Sequence, residues 1–344
     1  MRIARLSAGA AFSLAGILAA LSPAAAQSVA DFYKGKQIKL IVGQPSGNRG
    51  DVVARLVGKH MTRFIPGNPL IVPQNMPAAG TLAAANYIYN VAPRDGTAFG
   101  VFSRSIPVQA IMGQKGTEYD PRRYGWLGSP EGVEQICLAY ETAPVKTVED
   151  LFATELIVGG SGPTTVTNYL PIVLNSTIGT KFKLIPGYGG AGEVFLAMER
   201  GEVQGICTVM DQVLGLRPDW IGNGKARILF HSSTTPSPSM PQLPSIYKYA
   251  KTDEQRQVIF FVNSGTEFGR PFATPPEVPT DRLQALRQAF ATTLKDPEFL
   301  AEAKKIDFEP VYISGEAMDK LVADIYATPK NLIDRASELM GFTQ

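Results

Sequence analysis

Three glycine-rich loops and a few polar side chains are the residues whose types and spacing could do chemistry. The first loop, Gly43-Gln44-Pro45-Ser46-Gly47-Asn48-Arg49-Gly50, follows the apolar run 38–42 and precedes a helical stripe that starts at Asp51. A loop between strand and helix aims backbone N–H groups and the positive end of the helix dipole at one point, which suits an anion. Its glycines allow close approach to a ligand, and Ser46, Asn48 and Arg49 can add donors. The plain alternative is an ordinary strand-to-helix turn. A second loop, Gly159-Gly160-Ser161-Gly162-Pro163-Thr164-Thr165, has the same placement. If the two face each other across a cleft, they could hold the two ends of one acid.

Asp51 is expected to cap its helix. A carboxylate beside an anion site repels the ligand unless it meets an ammonium or hydroxyl group, and that is its functional alternative.

The third loop, Gly187-Tyr188-Gly189-Gly190-Ala191-Gly192, matches G-x-G-x-x-G after an apolar run, and Asp211 lies 211 − 192 = 19 positions beyond it, where a ribose-binding acid belongs. A dinucleotide-dependent oxidoreductase is therefore an alternative of another class. Against it stands the mid-chain position of the motif in a chain that carries an export signal. Gly160-Ser161-Gly162-Pro163 lacks the last glycine of G-x-S-x-G, and neither His60 nor His231 has an acid–base context. No catalytic residue, cofactor or metal site is expected. Cys137 and Cys207 are the only cysteines. They could pair in an oxidising compartment or remain two buried thiols.

The elements that would position these loops alternate along the chain, as in an α/β protein with mainly parallel sheets. Strands are expected at 38–42, 70–72, 97–102, 156–158, 182–185, 203–208, 228–230 and 258–262, with a short one at 309–313. Helices are expected from Asp51 to the Pro66-Gly67 stop, at 79–91 and 193–200, and then at 281–294, 297–305, 315–327 and 331–340.

Arg2 and Arg5, the apolar stretch 10–21 and the small residues before Gln27 form the n-region, h-region and cleavage pattern of a secretory signal at 1–26. Removal leaves 344 − 26 = 318 residues with 33 − 2 = 31 basic and 31 acidic side chains. Such a balance gives no reason to expect nucleic acid as partner, and attraction for an anion must be local. That length favours two domains.

Several segments in order resemble the periplasmic receptors of tripartite tricarboxylate transporters, the Bug family. They are Tyr33-Lys34-Gly35-Lys36, Asp51-Val52-Val53-Ala54-Arg55, Asn75-Met76-Pro77-Ala78-Ala79-Gly80, Pro93-Arg94-Asp95-Gly96, the loop 187–190, Gly201-Glu202-Val203 and Pro271-Phe272-Ala273-Thr274-Pro275-Pro276. The resemblance implies a two-domain periplasmic-binding-protein fold of type II, with a ligand cleft between residues 27–126 plus 245–344 and residues 127–244. It implies a monomeric receptor that captures a small organic acid, dicarboxylate or aromatic, for a two-component membrane permease; an orphan sensing receptor is the alternative. By position, the loops 45–51 and 160–165 would contact a carboxylate through amides and water. Ser103, Arg104, Tyr188, Gly189 and Asp211 would line the same cleft. Asn48-Arg49 departs from a stretch that is richer in glycine in the family, which points to a direct bond from Arg49, against an arginine directed to solvent.

Overall fold

The computed structural model describes residues 27–340 except 79–80, 163–164, 235 and 238–239. The signal segment 1–26 and Thr164 lie outside the described residues. In chain order the elements are α1 (Val29–Tyr33), β1 (Gln37–Val42), α2 (Arg49–Met61), β2 (Leu70–Asn75), α3 (Leu82–Asn90), β3 (Ala98–Val101), α4 (Ile106–Ile111), β4 (Gly125–Ser129), β5 (Gln135–Tyr140) and β6 (Leu156–Gly160). They continue with α5 (Val166–Ile178), β7 (Phe182–Pro186), α6 (Ala191–Glu199), β8 (Gly205–Val209), α7 (Met210–Leu216), α8 (Asp219–Gly222), β9 (Ala226–His231) and α9 (Asp253–Glu267). The chain ends with β10 (Phe272–Thr274), α10 (Thr280–Thr293), α11 (Pro297–Lys305), β11 (Ile313–Ser314), α12 (Gly315–Tyr326) and α13 (Lys330–Leu339).

These elements form two mixed sheets, ordered β11-β4-β10-β3-β1-β2 and β7-β6-β8-β5-β9. Each is parallel on one side, at β1 with β2 and β3 and at β6 with β7 and β8, and antiparallel on the other. Both faces of each sheet are covered, as the alternation along β5 shows. Ile136 and Leu138 join the core with Val194, Phe195 and Trp220, whereas Cys137 and Ala139 face a core shared with Tyr169 and Phe230. A strand buried on both faces carries a continuous apolar run.

Cys137 lies opposite Cys207 in the β5–β8 register, and the two are joined in a disulfide. The chain leaves the first sheet after Ser129 and enters the second at Gln135; it leaves the second after His231. These crossings are stitched together, since Ser232 donates its N–H to the Gln135 carbonyl at 2.9 Å and its hydroxyl to Gln135 Oε1 at 3.0 Å. Helices α9 and α13 pack against α5, so the carboxy-terminal part touches both lobes.

Two expectations change. The run 258–262 is the middle of helix α9, which a capping box between Thr252 and Gln255 starts and which packs on α4, α5, α12 and α13. A short apolar run buried on several sides looks the same in a strand and in such a helix. Strands β4, β5 and β10 complete the sheets in places where no strand is expected from the sequence. Among the described residues no helix is long and apolar enough to cross a membrane.

Candidate functional site

Asn48, not Asp51, caps α2: its Oδ1 accepts the Asp51 N–H at 2.9 Å. Asp51 sits three residues further on and turns back. Its carboxylate accepts the Gly47 N–H at 2.9 Å, Arg55 Nε at 2.9 Å and Asn75 Nδ2 at 2.7 Å, and the residue is only 2% exposed. Burial alone would push its pKa up, but the bonds from Arg55, Gly47 and Asn75 hold it below the ordinary value. Asp51 is thus a scaffold for the loop. Its acceptor capacity is committed, leaving none for a ligand ammonium. Pro45, Ser46, Gly47, Asn48 and Arg49 are exposed. Arg49 donates to the Asp307 carbonyl at 3.1 Å, next to α11.

Beside this loop lies a residue that sequence patterns leave unmarked. Arg270 donates from Nη1 to Gln44 Oε1 at 3.2 Å, and its Nη2 is 3.0 Å from Glu131 Oε2. A Cβ on Gly50 would fall 2.2 Å from Arg270 Nη1 and closer still to Gln44, so glycine is what allows these side chains onto the first turn of α2. Arg270 and Glu131 side chains are 12% and 14% exposed.

Arg104 belongs to the same group. The Phe102 N–H donates to the Pro271 carbonyl at 3.1 Å, which lays the end of β3 beside Arg270. The Ser103 N–H donates to Thr81 Oγ1 at 3.0 Å, while Thr81 holds a left-handed φ of 80° next to Gly43. A non-glycine residue in that region is strained and persists where its surroundings hold it. Arg104 is half-buried, and among the described residues its guanidinium makes no hydrogen bond or ion pair. Burial lowers its pKa from the usual arginine value; Glu131, Tyr169 and Asp211 push it back up and Arg270 lowers it further.

From the second lobe, the loop before α5 is tied by its own hydroxyls. Ser161 N–H and Gly162 N–H donate to Thr167 Oγ1 and Asn168 Oδ1 at 2.9 and 3.1 Å, and Thr165 Oγ1 donates to the Gly162 carbonyl at 2.7 Å. Gly160 has no room for a side chain, because a Cβ would meet Asn168 Oδ1 at 2.2 Å. One turn into α5, Tyr169 accepts a bond from Gln135 Nε2 at 2.9 Å, and burial pushes its pKa up to about 12. Asp211, exposed on the first turn of α7, follows Met210, whose N–H donates to the Glu134 carbonyl at 2.9 Å.

Arg270 thus links Gln44 and Gly50 of the first loop to Glu131, and the segment that crosses to the second sheet meets Met210, the neighbour of Asp211, at Glu134, and Tyr169 of α5 at Gln135. Tyr188 and Gly189 follow β7, next to the second loop. Gly187 and Tyr188 donate their N–H groups to the Gly160 carbonyl, and Tyr188 packs over Gly159 toward Val194. The Gly189 N–H donates to Glu193 Oε2 at 2.7 Å, so a carboxylate of the chain itself occupies the N-terminus of α6, where a pyrophosphate would sit. Strand β6 also separates β7 from β8, so Asp211 does not end the strand adjacent to β7, as a ribose-binding acid would. Among the described residues His60, Asp296 and Glu298 come close together, but Arg63 bonds both acids.

A model of the tripartite tricarboxylate transporter family receptors matches residues 53–337. The chain belongs to that family. It is one of binding proteins, not of enzymes, and the dinucleotide alternative falls with that. The match begins just past the Asn48-Arg49 departure. A UPF0065 protein from the gbd 5' region of Cupriavidus necator is 24% identical over 336 residues, covering 94% of each chain. Among solved structures, a ligand-free TctC solute binding protein from Polaromonas shares 18% identity at a TM-score of 0.70, over 90% of this chain and all of that one. The structure of an R. palustris protein with adipate shares 20% identity at a TM-score of 0.53, over 89% of this chain and 97% of that one. At these identities the likeness shows the fold: two α/β sheets of the periplasmic-binding-protein kind.

Proposed function

We propose that this receptor captures a small organic carboxylate between its lobes and delivers it to a two-component membrane permease, after export and removal of residues 1–26. The observation that carries the reading is Arg104, a half-buried guanidinium near the charges of Glu131 and Asp211 that makes no hydrogen bond or ion pair among the described residues. Desolvating a charge without pairing it is costly, and a ligand carboxylate would supply the missing partner. The exposed loop 45–49 before α2 and Ser161, Gly162 and Thr165 before α5 would complete the site from the two sides. The family membership and the adipate held by a structural relative support the same class of ligand.

The test is the thermal midpoint of the purified protein against a panel of dicarboxylates, aromatic acids and amino acids, with nicotinamide dinucleotides as controls. A ligand that binds only the native state raises the midpoint. At least one carboxylate is expected to do so while the dinucleotides do not. A panel without effect would overturn the reading.

A further inference from the structure

His60 takes no part in the carboxylate site. It lies in the last turn of α2, about 16 Å along the helix from Arg49 at a rise of about 1.5 Å per residue. The residue is 4% exposed, and its ring packs edge-on against Phe299 of α11 with centroids 5.7 Å apart. Arg63 Nη2 stands 3.1 Å from His60 Nδ1. A guanidinium only donates, so Nδ1 carries the lone pair and the proton is on Nε2. That second nitrogen is buried without a hydrogen bond of good geometry, although Glu302 Oε2 lies 3.3 Å away.

A nitrogen of His60 and one oxygen each of Asp296 and Glu298 all lie within 4.8 Å of one another, and Nδ1 is 3.9 Å from Asp296 Oδ1. The Arg63 guanidinium stands among them, bonded to Nδ1 and to both acids. An imidazole lone pair and two carboxylates thus converge on one positive charge. Two of these three groups are held from behind: Asp296 caps α11 by accepting the Phe299 N–H at 2.9 Å, and the Phe299 ring backs the imidazole. Arg63 is held less firmly, because its side chain is exposed and can turn to solvent.

We infer that His60, Asp296 and Glu298 form a zinc site that fastens α2 to α11, with Arg63 as the cation that fills it when zinc is absent. Zinc takes imidazole nitrogen and carboxylate oxygen at about 2.0–2.2 Å, which sets its ligand atoms about 3.4 Å apart in a tetrahedron. The 3.9 Å between Nδ1 and Asp296 Oδ1 needs to close by only about half an ångström, and the exposed Glu298 can follow. The imidazole favours zinc over magnesium and calcium, which take oxygen ligands. Glu302, beside the Nε2 proton, supplies the carboxylate that orients a metal-bound histidine. This site is independent of carboxylate capture.

The experiment is calorimetric titration with zinc chloride, with magnesium and calcium chloride as controls, on protein purified without a polyhistidine tag. The wild type should bind one zinc ion, and its thermal midpoint should rise with zinc and not with the controls. Glu298→Gln changes an exposed side chain and should fold as the wild type does, yet weaken zinc binding roughly tenfold or more. His60→Gln should weaken it at least as much; the only other histidine, His231, is buried in the second lobe. Arg63→Ala removes the competing cation and should bind zinc several-fold more tightly than the wild type. No zinc binding by the wild type would overturn the inference, even if Arg63→Ala binds it, since arginine would then be the permanent cation. Zinc binding that neither Glu298→Gln nor His60→Gln weakens would overturn it as well, by placing the ion elsewhere.

Discussion

Asp51→Asn tests whether the first loop is held in shape by a carboxylate. In the wild type Oδ1 accepts from Arg55 and Asn75, and Oδ2 from Arg55 and Gly47. An asparagine supplies one oxygen and one NH2 group, so on one side a donor faces a donor. A buried donor left unsatisfied costs about 1–3 kcal/mol. Lost attraction to Arg55 adds at most about 0.5 kcal/mol, because that side chain is 42% exposed and solvent screens it. Together these give about 2 kcal/mol, or a fall in thermal midpoint of roughly 5 °C. The sign with pH follows from the lowered pKa. Asp51 contributes stability that is fully present above its unfolded value near 3.9 and is lost as pH falls through the lower folded value. The gap between wild type and variant, measured by scanning calorimetry, should be full at pH 7 and shrink below about pH 4. A gap under about 0.5 kcal/mol at pH 7 would refute the reasoning, since that is the ordinary range for a surface substitution. A gap that stays constant down to pH 2 would refute it equally.

Replacing both cysteines, Cys137→Ala with Cys207→Ala, opens a link of sequence separation 70 and should cost about 4 kcal/mol on the chain-entropy estimate, read as a lowered denaturation midpoint. Ligand affinity should not change with it, because the bond lies within the second sheet. Arg49→Ala should leave calorimetric affinity for a carboxylate within about twofold, well below the loss of a charge-assisted bond, since Arg49 is engaged with the Asp307 carbonyl. A tenfold loss would restore Arg49 to the site.

Much of the fold is legible where local signals are strong. Helix α11 runs over the expected 297–305, with Asp296 capping and Pro297 in the first turn. Strand β1 and the strands before the second and third loops lie where the apolar runs place them. Helix α9 was hidden because the run Val258-Ile259-Phe260-Phe261-Val262 reads as a strand; the signal that could have found it is the pair Thr252 and Gln255. At the first loop, Asn48-Arg49-Gly50-Asp51 has the spacing of a cap followed by an acid at the third helical position, which places the cap on Asn48. Arg270 and Glu131 were invisible for a different reason. Arg270 meets Gln44 across 226 residues, and only the return of β10 into the first sheet brings them together. The family resemblance holds over most of the chain, yet its segments marked neither residue of this ion pair.

The central claim, a carboxylate held between the lobes, rests most directly on Arg104. The decisive measurement is isothermal titration of wild type and Arg104→Gln with the carboxylate that most raises the thermal midpoint. Loss of a charge-assisted bond of about 1.5–3 kcal/mol corresponds to a roughly 10- to 100-fold weaker dissociation constant, with the unliganded midpoint unchanged or raised. An affinity within twofold of wild type would contradict the claim.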